Sequence, residues 1–94
     1  DQYIANMCDG ALAGFKYFDL RETKEISVAA KGRAEGTLYV RTSENGKAVA
    51  SISVSPCKEL KEFKAPLKVS GNREALFFTF EGKGSFDFIS FTLK

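Results

Sequence analysis

Four segments between residue 24 and residue 69 alternate apolar and polar side chains at every second position, and that period leaves them little choice of secondary structure. In "KEISVAAKG" Ile26, Val28 and Ala30 face one way, while Ser27, Ala29 and Lys31 face the other. In "GTLYVRTS" Leu38 and Val40 oppose Tyr39 and Arg41, and in "AVASISVS" Ala48, Ala50, Ile52 and Val54 oppose the serines. In "EFKAPLKV" Phe63, Ala65, Leu67 and Val69 oppose Lys64, Pro66 and Lys68. Successive side chains of a strand point to opposite faces, so each segment reads as a strand with one wet face. Pro66 lies on the wet side and marks an edge strand, because proline has no N–H to give to a ladder.

Two later segments, "EALFFTFEG" (74–82) and "SFDFISFTLK" (85–94), are apolar on both faces, which places them in mid-sheet or under a cover. The punctuation agrees. "ENGK" (44–47) carries Asn-Gly, a strong hairpin signal, and "SGNRE" and "EGKGS" are further turns. "SPCKELKEFK" is the one stretch that could hold a helical turn. In the first twenty residues Ile4, Met7, Cys8, Ala11, Phe15 and Phe18 approximate a helical stripe, but Gly10 and Gly14 interrupt it. Two short strands are expected there instead, at 3–8 and 13–19, joined by a turn at "DGAL", with Phe15, Tyr17 and Phe18 packed in the core. Seven or eight short strands at intervals of about 10 residues describe an all-β antiparallel sandwich of jelly-roll type, one domain over 1–94.

Composition excludes several functions. The net charge is +2 with lysines spread along the chain, too mild for a nucleic-acid footprint. No apolar run approaches the roughly 20 residues that span a bilayer. There is no histidine, which removes Ser-His-Asp and Cys-His nucleophilic sites and leaves only carboxylate pairs for acid/base work. Cys8 and Cys57 stand far apart with no CxxC spacing, so they do not read as a zinc site. A disulfide and two free thiols are both open, and a core of this size favours the thiols. No signal peptide is present, so one has been removed or the chain is an excised piece.

Three stretches together, "YIANMCDGALAGFKYFDL", "GTLYVRTSENGKAVASISVSP" and "REALFFTFEGKGSFDFISFTL", resemble in order and spacing the carbohydrate-binding modules of family 6. The likeness is to versions found C-terminal to family 43 glycoside hydrolases of the xylosidase and arabinofuranosidase type, and it covers essentially the whole chain. It implies a jelly-roll sandwich that binds xylan-type polysaccharide or oligosaccharide, often with a structural calcium ion. It also implies that the opening part of the module is missing and that the chain is a piece of a larger glycosidase, with a catalytic domain in the same chain as its partner. A secreted or cell-surface location follows for such a parent, with a cytoplasmic one left open.

The resemblance also implies site residues. In the family's loop-end cleft two aromatic rings sandwich the sugar and an asparagine hydrogen-bonds it. The first ring position falls at Asn6, the second, in a loop before a strand, at Leu60, and the asparagine at Ser85. All three have changed type, and the chain has no tryptophan. A second family site lies on the concave sheet face, within reach of Tyr39 and Arg41, which otherwise read as an exposed pair on a sheet. Asp87 falls at the calcium-ligating position of the last strand, and the alternative is a carboxylate capped by backbone N–H groups. Asp9 and Asp19 flank turns and read as turn formers. The functions that follow are a noncatalytic sugar-binding module or a structural accessory sandwich packed on a catalytic domain. An enzyme in its own right is disfavoured, since no Asp/Glu pair is evident.

Overall fold

A computed structural model describes residues 5–43, 46–68, 71 and 73–94. Eight strands follow one another: β1 (Ala5–Cys8), β2 (Leu12–Phe18), β3 (Glu25–Gly32), β4 (Glu35–Arg41), β5 (Ala48–Val54), β6 (Cys57–Pro66), β7 (Glu74–Lys83) and β8 (Ser85–Leu93). They form two four-stranded antiparallel sheets, ordered β1-β8-β3-β6 and β2-β7-β4-β5. The chain changes sheet at every connection except the β4–β5 hairpin, so each sheet is built mostly from strands that are not consecutive in sequence. Glu44 and Asn45 of that hairpin, residues 3 and 4 of the strand expected at 3–8, Val69, and Ser70 and Asn72 of the "SGNRE" turn lie outside the described residues.

The alternating segments deliver their apolar sets to the space between the sheets. Ile26, Val28, Ala30, Leu38, Val40, Ala50, Ile52, Val54, Phe63, Ala65 and Leu67 are all buried there. Aromatic rings knit the layers together. Phe78 of one sheet meets Phe88 of the other edge-on at 5.0 Å, and Phe80 meets Phe86 at 5.0 Å across the β7–β8 turn. Such ring pairs contribute about 0.5–1.5 kcal/mol each beyond the area they bury. Pro66 does lie on an edge strand, β6, while β7 and β8 are interior.

The two-sided apolarity of β8 has a local cause. Ala29 pairs with Ser90 but Ala30 pairs with Phe88, so Ile89 is an extra residue in the ladder. This bulge resets the phase. Phe86 and Phe88 point inward before it, and Phe91 and Leu93 pack on the core after it. In β7 the outward ring is Phe77, half-buried over Gly14, where a Cβ would stand 2.9 Å from it.

Three expectations are corrected. Tyr17 is not in the core; it is 50% exposed. Phe15 pairs with Leu76 and Phe18 with Glu74, so β2 carries one residue more than β7 between those pairs. The bulge turns Phe15 and Phe18 to the same inner side and Tyr17 outward, beneath the Arg73 guanidinium at 4.2 Å. Nor does "SPCKELKEFK" hold a helical turn: from Cys57 onward it is the edge strand β6, whose outward charges blunt pairing with other chains. Ser27, read as facing water, is only 2% exposed. It sits opposite Lys64 and hydrogen-bonds the Glu62 carboxylate, and that bond, with Lys64 alongside, lowers the Glu62 pKa.

Candidate functional site

One end of the first sheet is shaped by two departures from regular pairing. On β3, Ala30 pairs with Lys61 of β6 and Gly32 with Cys57, so residues 58–60 bulge outward opposite Lys31. Gly32 makes the turn possible. Its φ is +147°, and a Cβ there would lie 2.6 Å from the Phe86 Cα and 2.8 Å from the Ser85 carbonyl oxygen. The chain then turns through Arg33, whose N–H donates to the Ser85 carbonyl at 3.1 Å.

The result is a groove of about 610 Å³ lined by Lys31, Gly32, Arg33, Pro56, Cys57, Lys58 and Asp87. It continues into a smaller recess lined by Asn6, Ser85 and Phe86 along with Asp87 and the 31–33 turn. Cross-strand register explains the floor. Asn6, Asp87 and Lys31 lie side by side on β1, β8 and β3, in the row that faces away from the core. Asn6 Nδ2 donates to Asp87 Oδ1 at 3.4 Å. The bulged segment forms the wall, with Leu60 58% exposed in an adjoining recess beside Cys57 and Lys58.

Of the residues expected at the sugar cleft, the fold therefore brings Asn6, Ser85 and Asp87 together and sets Leu60 on the adjoining wall. Leu60 lies within β6, not in a loop before a strand. Tyr39 and Arg41 belong elsewhere, on the outer face of the second sheet. There Arg41 Nη1 donates to Thr79 Oγ1 at 2.5 Å, Arg41 Nε donates to the Gly46 carbonyl at 3.0 Å, and the guanidinium lies 5.3 Å from the Tyr39 ring centre. The expected residues thus form two separate sets.

Lys31, Arg33, Pro56, Cys57 and Lys58 line the groove without having been marked by the sequence. Their positions depend on the β6 bulge, which no alternation pattern reveals. The tripeptide "KGR" closing a strand was the available signal. Of the two turn aspartates, Asp19 accepts from the Arg21 N–H within its own turn at 3.1 Å, whereas Asp9 Oδ1 reaches across to accept from the Gly82 N–H of β7 at 3.1 Å. Arg21 also holds the Asp19 carboxylate through side-chain bonds, which lower its pKa to about 2. Cys8 and Cys57 are free thiols, Cys8 exposed and Cys57 half-buried with its S–H directed to the Ala30 carbonyl at 3.6 Å.

Among the described residues, the side chains around Asp87 do not assemble a carboxylate cluster for a calcium ion: no group of three or more Asp, Glu, Cys or His side chains comes together. Asp87 has an amide on one side and Lys31 on the other, whereas calcium takes six to eight oxygen ligands.

No protein-family model matches the chain. It is 42% identical over 91 residues to a xylosidase/arabinosidase of Thermoclostridium stercorarium, a match that takes in 97% of this chain and 19% of that protein. The chain therefore spans about a fifth of that relative's length. Among solved structures, a family 6 carbohydrate-binding module of Clostridium cellulolyticum in complex with xylose superposes with a TM-score of 0.83, at 13% identity, over 100% of this chain and 90% of that one. A family 6 module of Clostridium stercorarium in complex with cellobiose gives 0.80 at 14% identity, over 92% and 68%. A family 43 arabinoxylan arabinofuranohydrolase of Bacillus subtilis in complex with cellotetraose gives 0.82 at 18% identity, over 95% and 20%. The chain thus shares the β-sandwich fold of family 6 carbohydrate-binding modules, and in sequence it is similar to about a fifth of a xylosidase/arabinosidase.

Proposed function

We propose that the chain is a noncatalytic sugar-binding module that holds an attached glycoside hydrolase against plant cell-wall polysaccharide of the xylan or arabinoxylan type. The observation that carries this reading is the groove at the end of the first sheet, which gathers Asn6, Ser85 and Asp87 on a fold shared with sugar-bound modules. Asn6, Ser85 and Asp87 offer donors and acceptors for hydroxyl groups at a half-open surface, where they remain solvated when no sugar is present. Leu60 offers an apolar face to one side of a pyranose ring. A weak site of this kind works by effective concentration: it keeps the catalytic domain near its substrate without entering the chemistry. Among the described residues Asp87 is the one carboxylate lining the groove, whereas glycoside hydrolysis ordinarily takes a facing pair.

A second reading is a structural sandwich packed on the catalytic domain. It is favoured by the residues at the two stacking positions, since Asn6 and Leu60 lack the ring face that aromatic side chains present to a sugar. Titration of the chain with xylo-oligosaccharides, followed by amide NMR, separates the two. Binding in the groove shifts resonances of residues 5–10, 57–63 and 82–86. Shifts confined to Tyr39, Arg41 and Thr79 would move the site to the second sheet. Silence across xylan, arabinan and cellulose fragments would leave the accessory role.

A further inference from the structure

The lysines that look scattered along the sequence are not scattered at the groove. Lys31, Arg33 and Lys58 line one depression against a single carboxylate, Asp87, a formal excess of two positive charges. That equals the net charge of the whole chain. Among the described residues, ion pairs join Arg21 to Asp19 and Lys64 to Glu62, and none takes up Lys31, Arg33 or Lys58. The adjoining recess adds Glu59 and Lys61, which leave the balance unchanged. Other cations of the chain are engaged elsewhere: Arg41 by Thr79 and Gly46, Arg73 by the Tyr17 ring, Lys61 by the Phe63 ring. Three cations thus line the place where a ligand would lie, with one carboxylate among them.

A neutral xylan chain gives these three cations nothing to pair with. A carboxylate does, and a concave wall raises the field that a bound anion feels. Resting on the sugar-binding reading above, we infer that the groove selects saccharides that carry a carboxylate, that is, uronate-bearing chains. Asn6, Ser85 and Leu60 meet the neutral ring, and Lys31, Arg33 and Lys58 take the uronate. Arg33, with its planar fork, supplies a two-pronged contact that a lysine does not. Asp87 opposes the anion and sets an upper limit on its affinity.

Calorimetric titration of the 94-residue chain tests this with three ligands of equal backbone length: a neutral xylo-oligosaccharide, the same chain bearing one glucuronic acid branch, and an oligogalacturonate. At low salt at least one acidic ligand should bind about tenfold more tightly than the neutral one, the effect of one net charge-assisted contact. The advantage should shrink severalfold near 1 M salt, where screening reaches only about 3 Å. Preference for the branched xylan chain would place the carboxylate on a side group, and preference for the oligogalacturonate would place it in the main chain. Equal affinity for neutral and acidic ligands would overturn the inference and leave the sugar-binding reading intact. No binding of any of the three would overturn both. Lys31→Gln, Arg33→Gln and Lys58→Gln should each lower the acidic-to-neutral affinity ratio. Asp87→Asn should raise affinity for the acidic ligand, a gain that a misfolded variant cannot imitate, and a loss there would count against the charge argument.

Discussion

Arg41 of β4 donates from Nη1 to the Thr79 hydroxyl of β7 at 2.5 Å, tying two neighbouring strands on their outer face. The same side chain reaches the Gly46 carbonyl through Nε and lies beside the Tyr39 ring. One guanidinium thus fixes the β4–β5 turn and the ring that would meet a sugar on this face. Arg41→Ala should cost about 1–2 kcal/mol, toward the lower end for hydrogen bonds to a charged group because the site is only half-buried. Arg41→Lys should recover only part of this, since an ammonium cannot span both acceptors. Urea denaturation reads the effect as a lower midpoint at unchanged slope. An Arg41→Ala midpoint equal to that of the unsubstituted chain would show that these bonds exchange freely with water.

Gly32 is the hinge of the groove. Its positive φ excludes a relaxed side chain, and a Cβ would press on the backbone of Phe86 and Ser85. Backbone cannot step aside as the tip of a flexible side chain can. Gly32→Ala should therefore destabilise by more than about 2 kcal/mol, above the ordinary range for a substitution near the surface. It should also disturb the amide resonances of Arg33, Ser85 and Asp87 before those of the second sheet. A loss of that size lowers the melting temperature by roughly 8 °C or more in a domain of this length, so one within about 2 °C of the parent would contradict this geometry.

The sandwich was legible because period-two alternation is a backbone property: Ile26, Val28, Leu38, Val40, Ile52 and Phe63 point inward whatever the sheet order. Pro66 and the apolar run of β7 also placed their strands correctly at edge and centre. Apart from Ser27, the departures from strict alternation gather at bulges. Tyr17 was assigned to the core because three aromatic residues in four positions suggest one apolar face, and only the extra residue in β2 decides which of them turns out. The cations of the groove were invisible for the same reason. Lys31 and Lys58 lie far apart in sequence, and a bulge on an edge strand faces them toward one depression. Irregular pairing is set by which strands meet, and that information is spread over the whole chain.

The two thiols should behave differently. Cys8 is exposed on β1, while Cys57 is half-buried at the groove wall. A thiol reagent should label Cys8 first and Cys57 severalfold more slowly, in line with access to the sulfur. Reductant should leave the melting temperature unchanged. With Cys8→Ser in place, labelling Cys57 should obstruct the groove and weaken sugar binding. Mass spectrometry that found one Cys8–Cys57 disulfide would end this prediction at once.

Asp19 carries a pH signature. Side-chain and backbone hydrogen bonds from Arg21 hold its carboxyl at about 2, against an ordinary value of 3.8. A carboxyl lowered in the folded state stabilises fully above its unfolded value and loses that contribution as pH falls through the folded one. The turn after β2 should therefore keep its geometry down to pH 4 and loosen between about pH 4 and 2. The partners are two residues apart and exposed, so the loss should be local and not a global unfolding. Carboxyl-carbon NMR titration of Asp19 should show the low midpoint, and Arg21→Ala should return it toward the ordinary value. An ordinary midpoint in the unsubstituted chain would refute the assignment.

Asp87 separates two roles for one carboxylate. If it ligated calcium, a chelator would lower the melting temperature and added calcium would raise it, by an amount set by the ratio of calcium to its dissociation constant. Asn6 Nδ2 donates to Asp87 from one neighbouring strand and Lys31 lies opposite it on the other, so Asp87 sits between a donor and a cation. We therefore expect the melting temperature to be the same in chelator and in millimolar calcium. Asp87→Asn should cost little, at most about 1 kcal/mol, because an amide keeps a hydrogen-bond partner for Asn6 at a half-buried position. A calcium-dependent rise in melting temperature that Asp87→Asn abolished would reverse the assignment and make the acidic floor of the groove a metal site.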